Sequence, residues 1–317
     1  MRAIVVTEYG GPGVLKPRDH EDPRPGPGEI VVDLAASGVN FRDVYERTGA
    51  YPKPLPCIAG SEGAGRVSAV GEGVTSVGIG DVVVSADLNG AYAERASVAA
   101  ERAVPVGDAD PEQAAAVMLQ GLTAHYLTHS TYPIKPGDTA LVHAAAGGVG
   151  LLLTQMIKLR GGRVIGTVST QEKEKLARDA GADEVVRYDD FAAQVRRLTG
   201  GVHVVYDGVG KTTFDDSMSV LRPRGMLALY GAASGPVPPV DPQRLNAAGS
   251  LFLTRPTLVH YVATREELLW RTRDLFGWIA SGDLSVHIGG RYPLEDARRA
   301  HEDLEARRTA GKLLLTP

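Results

Sequence analysis

The sequence predicts an α/β fold: a doubly wound parallel-sheet domain inserted into a mostly β domain. Three observations carry that expectation. From Thr139 to about residue 262, strand and helix signals alternate; the first hundred or so residues read instead as short strands punctuated by glycine and proline; and 317 residues are too many for one ordinary core. The expected domains are 1–119, completed by 263–317, and 120–262.

In the first domain, RAIVV, EIVVDLAA, GAGRVSAV and DVVVSA are β-rich runs bounded by the turn signals GGPG, RPGPGE and GEGV. No helix alternates with them, which predicts a compact β domain. At Pro111 the texture changes. PEQAAAVMLQGLTAHYL combines good helix formers with apolar residues at helical spacing.

The turn YPIKPGD opens the second domain's rhythm. TALVHAA reads as a strand and GVGLLLTQMIKL as a helix; RVIGTVS is a strand and QEKEKLARDAG a helix, closed by Gly181. DEVVRY and VHVVYDGV follow as strands, FDDSMSVL as a helix, and GMLALYGA and SLFLTRP as the last two strands. Strands joined through helices must run parallel, since a crossover returns the chain to the same end of the sheet. Six of them suggest the doubly wound arrangement. The tail holds the amphipathic TREELLWRTRDLFGWIASG, with Thr264 placed to cap it and Glu267 three residues on, then LEDARRAHEDLEARRTAG and a strand, KLLLTP. These elements are expected to pack back on the first domain.

Composition removes several functions. With 43% hydrophobic and 23% charged residues the chain has a globular make-up, and its net charge of -4 gives no grip on nucleic acid or acidic membranes. Cys57 is the only cysteine, which excludes an intrachain disulfide and every cysteine-based zinc cluster and fits a reducing cytoplasm. No segment reaches the roughly 20 apolar residues of a membrane span.

The stretch HAAAGGVG raises the functional question. It follows a strand and opens a helix, whose unpaired N–H groups and positive dipole end suit a pyrophosphate. Gly147 lets the backbone approach phosphates and Gly150 lets the helix pack close to the sheet, but Ala145 stands where the dinucleotide fingerprint has its first glycine. A slightly wider turn would tolerate that alanine. At the end of the second strand an NAD site has Asp or Glu for the ribose 2′-hydroxyl. Here the chain reads GTVSTQEKEK, with Ser169 and Thr170 in that place and Lys173 after them. Hydroxyls and an ammonium accept a 2′-phosphate where a carboxylate repels it, so the loop favours NADPH. A lysine there is also what any solvated helix face carries.

In HAAAGGVG, GVNFRDVYERTGAYP, YDGVG and LTRPTLVHYVATREEL the chain resembles the zinc-independent quinone oxidoreductases of the medium-chain dehydrogenase/reductase superfamily, the ζ-crystallin-like group. The resemblance covers essentially the whole chain. It implies a Rossmann NADPH-binding domain inserted into a GroES-like catalytic domain, and hydride transfer from NADPH to a quinone. Zinc-dependent relatives carry Cys where this chain has Asn40 and His where it has Ser61; Glu62 remains, and a lone carboxylate makes no tetrahedral site. His125 and His129 stand at i, i+4 without a third ligand, and read as ordinary surface or interface residues.

By the same resemblance, Asn40, Tyr45 and Tyr51 line the substrate cleft near the nicotinamide. Asn40 would donate to a carbonyl oxygen, and the tyrosines would stack on a flat substrate or donate a proton. Cofactor contacts fall to Asn40 itself, to Thr123, and to Ala146, Gly147, Gly148, Val149 and Gly150 of the loop. Ser169, Lys173 and Tyr188 would hold the 2′-phosphate; Val209, Gly231, Leu253, Thr254 and Arg255 would follow the nicotinamide half. Arg255 also fits a plain salt-bridge role. Gln120 stands where some relatives have lysine. The implied partners are a small quinone or related electrophile and a second copy of the chain, paired through the apolar edge strand SLFLTRP. Two alternatives stay open: an alkenal or enone double-bond reductase on the same scaffold, and an NADPH-binding, crystallin-like protein with little turnover.

Overall fold

The computed structural model describes residues 1–317, and the chain divides into two compact units. One comprises Met1–Gln120, Thr264–Phe276 and Val286–Pro317; the other comprises Gly121–Ala263 and Gly277–Ser285. Gly277–Ser285, assigned to the first domain from sequence, packs with the second unit.

In the first unit the main sheet runs Ile288–Pro293, Lys312–Thr316, Glu29–Val39, Glu62–Val70, Val82–Ser85, Val104–Pro105, with Arg95–Ala99 also paired to Glu29–Val39. Ile30, Val32 and Leu34 alternate inward from Glu29–Val39 and meet Val67, Val83, Ala96 and Val98 in one apolar cluster. The tail strand Lys312–Thr316 lies antiparallel to the same strand, with Leu313 opposite Val39, and buries Leu313, Leu314 and Leu315. A small sheet of Lys16–Asp19, Arg2–Val6 and Cys57–Ile58 completes the unit.

One helix interrupts this β domain where the sequence reading had none, at Phe41–Arg47. Its start is a capping box: Asn40 is the N-cap, its side chain facing the Asp43 backbone, while Asp43 Oδ2 accepts the Asn40 N–H at 2.9 Å. The pattern N-x-x-D was present in the sequence but sat among glycines and tyrosines that read as loop.

The second unit is a six-stranded parallel sheet in the order Glu184–Arg187, Arg163–Val168, Thr139–Val142, Val202–Asp207, Leu221–Leu229, Phe252–Thr254. Numbered along the chain this is 3-2-1-4-5-6, the dinucleotide-binding order, whose direction reverses beside Thr139–Val142. The helices Gly148–Leu159, Gln171–Asp179 and Phe214–Ser219 match the expected segments. A fourth, Phe191–Thr199, was not expected. It joins the strand at one edge to Val202–Asp207 beyond the central strand, a crossover that a parallel sheet requires. Phe191 and Val195 supply its buried stripe at i, i+4, and Gly200 ends it in the left-handed region at φ 73°. Helix Arg265–Ser281 begins at the expected cap, with the Glu267 N–H donating to Thr264 Oγ1 at 3.1 Å. No helix is long and apolar enough to cross a membrane.

Candidate active site

In the second unit most of the expected cofactor residues lie at or just past the carboxyl ends of the parallel strands, where such sheets bind ligands. The glycine loop is built by its backbone geometry. Ala144 sits at φ 50°, and its carbonyl accepts the Gly147 N–H at 2.8 Å, closing a tight turn. Gly147 is the N-cap of the twelve-residue helix Gly148–Leu159, and no side chain caps it, so the first N–H groups of that helix are not met by one. An ideal Cβ on Gly150 would come within 2.3 Å of the Ala144 oxygen and 2.8 Å of Ala145 Cα, so only glycine allows this close approach. The left-handed residue is therefore Ala144, and Ala145 is an ordinary buried residue facing Gly166 of the next strand.

A buried polar chain holds the loop from beneath. Asp207 can only accept, so Ser217 donates to its Oδ2 at 3.1 Å; His143 Nε2 then donates to Ser217 Oγ at 2.8 Å, and Nδ1 accepts from Thr167 Oγ1 at 2.9 Å. Thr167 Oγ1 in turn takes the Ala144 N–H at 3.3 Å. Burial pushes the His143 imidazole down in pKa despite Asp207, as this neutral tautomer requires. Serine lies between histidine and aspartate, and all three are inaccessible, so the trio is scaffolding and not a nucleophile.

Strands Arg163–Val168 and Glu184–Arg187 pair with Val168 opposite Arg187, which sets Ser169 and Tyr188 side by side just past the ladder. Ser169 is exposed; Lys173 lies in the first turn of Gln171–Asp179; and the Tyr188 hydroxyl accepts the Ala144 N–H at 2.9 Å, joining this corner to the glycine loop. Thr170 is occupied differently from the sequence expectation, since its Oγ1 caps the helix by accepting the Lys173 N–H at 3.3 Å. Arg187 was overlooked: its guanidinium reaches the Thr170 carbonyl and pairs with Glu174 Oε2 at 2.8 Å. It reads in sequence as an outward strand residue; only the register brings it beside Ser169.

The remaining expected residues, Thr123 apart, follow the other strand ends. Val209 donates its N–H to Asp207 Oδ1 at 2.8 Å. Gly231 approaches Gly208 so closely that a Cβ would stand 2.5 Å from the Gly208 oxygen. Leu253 and Thr254 lie in the edge strand, with Arg255 next, its guanidinium donating to the Pro256 carbonyl at 3.3 Å. Thr123 is buried on the helix Pro111–Tyr126.

In the first unit, Tyr45 and Tyr51 meet edge to face with ring centroids 5.2 Å apart, and Tyr51 is 45% exposed. Asn40 departs from expectation. Its Nδ2 donates to Glu62 Oε2 at 2.8 Å and to the Gly38 carbonyl at 3.2 Å, while Oδ1 accepts from Lys312 Nζ at 2.8 Å. Both amide hydrogens are spent inside the protein, so Asn40 has none for a substrate carbonyl, and the donor role expected of it is corrected. Glu62, expected as a remnant, is ion-paired to Lys312 at 2.5 Å with both groups buried.

A second network backs the same helix start. Arg47 only donates, so its Nη1 fixes His301 Nδ1 as acceptor at 3.2 Å; His301 Nε2 donates to the Tyr92 oxygen at 3.0 Å, and Tyr92 O–H donates to Asp43 Oδ2 at 2.9 Å. Arg47 also grips Glu305 through two hydrogen bonds of 2.7 and 3.1 Å. Burial, with Glu46 nearby, pushes Asp43 up to about 7, and Asp43 Oδ1 is buried without a partner. Burial, with Arg47 adding to it, pushes His301 down to about 3. His125 and His129 stack on each other at 4.1 Å and on Trp278, and no group of three or more His, Cys, Asp or Glu is placed to hold a metal ion.

Comparison with known proteins agrees with this architecture. The alcohol dehydrogenase GroES-like domain matches residues 26–136, and the zinc-binding dehydrogenase family matches residues 148–270. A quinone oxidoreductase of Pseudomonas aeruginosa is 48% identical, with 100% of this chain and 99% of that protein covered. The chain belongs to the quinone oxidoreductase family.

Other members of the wider group bear on chemistry. A mycobacterial protein solved in complex with NADPH is 58% identical, with a TM-score of 0.98 and both chains covered in full. A 2-haloacrylate reductase of Burkholderia sp. is 41% identical over 99% of this chain and 98% of its own. Within this quinone oxidoreductase the residues that sequence reading missed are Arg187, Lys312, Asp43, Tyr92 and His301. Each is a polar residue in an otherwise apolar or unremarkable segment, and each takes at least one partner from another element that only the fold brings near. The single lysine of KLLLTP was the one visible hint, because a strand that buries three leucines has little reason to carry a charge.

Proposed function

We propose that this chain is an NADPH:quinone oxidoreductase that works without zinc. The observation that carries the reading is the join of two features in the second unit. A cradle that requires glycine at position 150, set at a helix N-terminus, lies one hydrogen bond, Ala144 N–H to the Tyr188 hydroxyl oxygen, from a corner carrying Ser169, Lys173 and Tyr188. The donor set fits the cofactor: uncapped helix N–H groups suit the pyrophosphate, and hydroxyl and ammonium groups suit a 2′-phosphate. Ala146, Gly147, Gly148, Val149 and Gly150 would hold the diphosphate; Thr123, Val209, Gly231, Leu253, Thr254 and Arg255 would hold the nicotinamide half.

Bound NADPH supplies a hydride. The protein's part is to orient and to shield. Tyr45 and Tyr51 give a flat acceptor an aromatic surface, and the hydroxyl of the half-exposed Tyr51 can hold a proton for the oxygen on which charge develops. Asn40 acts by fixing the start of the helix that carries Tyr45. A quinone needs no Lewis acid, since its reduced oxyanion is delocalised.

NADPH consumption with 1,4-benzoquinone, 9,10-phenanthrenequinone and a simple enone tests this reading. Turnover of the quinones supports it, and turnover of the enone alone moves the chain to double-bond reduction. That second reading draws on the 41% identity to the haloacrylate reductase. The edge strand Phe252–Thr254, with Phe252 57% exposed, fits a homodimer joined edge to edge. Size exclusion at the mass of one 33.5 kDa chain would count against that pairing. A cytoplasmic setting suits the lone, half-buried Cys57.

A further inference from the structure

Three strand ends converge in the first unit. Leu313 pairs with Val39, which brings Lys312 level with Asn40, and Gly38 pairs with Glu62. Gly38 leaves the room that the convergence needs: a Cβ there would come within 2.2 Å of Glu62 Oε2 and 2.7 Å of Lys312 Cε. Into that space fits an ion pair of fully buried groups. Burying a carboxylate and an ammonium is costly unless both are paired and their remaining hydrogen bonds are met, so a retained pair calls for a reason.

The remaining hydrogen bonds supply it. Lys312 Nζ also donates to Asn40 Oδ1 at 2.8 Å, and Glu62 Oε2 takes Asn40 Nδ2 at 2.8 Å, so the pair grips both ends of one carboxamide and allows it a single orientation. Glu62 Oε1 accepts the Leu119 N–H at 2.6 Å, and the next residue, Gln120, turns its Nε2 toward Asn40 Oδ1 at 3.5 Å. One ion pair thus fastens the N-cap of Phe41–Arg47, the helix bearing Tyr45, to the helix Pro111–Tyr126. Two polar atoms flanking this knot, Ser61 Oγ and Gln120 Oε1, are buried without partners.

We propose that Lys312, paired with Glu62, is a positioning residue for acceptor reduction, acting through the Asn40 carboxamide on the helix that carries Tyr45. This rests on the reading that the chain reduces quinones. Wild-type turnover of 9,10-phenanthrenequinone tests that reading; the ratio of variant to wild type tests this one.

Lys312→Met alone leaves Glu62 uncompensated and lowers the unfolding midpoint. Adding Glu62→Gln makes a neutral pair of similar volume that recovers most of the midpoint. The expected result is that this neutral pair still loses at least about tenfold in kcat/KM for 9,10-phenanthrenequinone, while its Kd for NADPH stays within about twofold of wild type. Recovery of turnover together with stability would overturn the proposal, since the pair would then be structural only. A second test keeps the charge, through Lys312→Arg measured alone and combined with Asn40→Ala. A loss that disappears in the Asn40→Ala background supports action through Asn40, and an equal loss in both backgrounds overturns it.

Discussion

Ala145 and Gly166 divide one space between them: an ideal Cβ on Gly166 would lie 2.7 Å from the Ala145 Cβ. The glycine missing from the loop is compensated by one on the neighbouring strand. Gly166→Ala is expected to cost about 1–3 kcal/mol by overpacking, because neither methyl sits on a flexible side chain. Ala145→Gly in the same chain should restore most of that loss. Urea unfolding of the three variants decides it, and a double variant no more stable than Gly166→Ala alone would refute the pairing.

Gly150 and Gly147 should differ in tolerance. A Cβ at 150 meets backbone at 2.3 Å, whereas one at 147 meets its nearest backbone atom at 3.1 Å. Gly150→Ala is expected to weaken NADPH binding by tenfold or more, about 1.4 kcal/mol, and Gly147→Ala by less. Fluorescence titration of NADPH on the two variants gives the order.

Asp43 and His301 set opposite pH dependences. The Asp43 carboxyl, raised by burial to about 7, contributes stability that is full below its unfolded pKa of roughly 3.9 and is lost as pH rises through 7. The His301 ring, depressed by burial to about 3, contributes stability that is full above its unfolded pKa of roughly 6.5 and is lost as pH falls through 3. From about pH 4 to 6.5 the two slopes, each about 1.4 kcal/mol per pH unit at most, cancel. Asp43→Asn should therefore unmask stability that climbs with pH in this window, and His301→Gln stability that falls. Unfolding midpoints at pH 4.5, 5.5 and 6.5 test the signs, and parallel profiles for both variants would sink the assignment.

Coenzyme choice should turn at Ser169. Placing a carboxylate there, Ser169→Asp, sets a negative charge beside the site assigned to the 2′-phosphate. The ratio of kcat/KM for NADPH over NADH is expected to fall at least about tenfold, comparable to a charged hydrogen bond lost. An unchanged ratio would move the phosphate away from this corner.

The second unit was largely legible because its signals are local: continuous apolar strands alternating with helices, a helix stop such as Gly181, and a glycine loop set between strand and helix. The helix Phe191–Thr199 escaped notice because its buried stripe is only Phe191 and Val195, and topology alone demands it. The first unit was legible as strands but not as a site. Asn40 reads as a donor in sequence and becomes a clamped residue in the fold, since its partners Glu62 and Lys312 lie 22 and 272 positions away. Hydrogen-bond partners at such separation have no sequence signature. Nor has the neutral state of His301, which Arg47 and burial impose together.

The proposed function has a phosphorylated nicotinamide cofactor reduce a flat electrophile on this chain without a metal. Its most direct test is the initial rate of NADPH and of NADH oxidation with 9,10-phenanthrenequinone, using protein dialysed against a chelator. Full activity after dialysis and a clear preference for NADPH are expected. Activity that returns only with added zinc, or equal use of NADH, would contradict it.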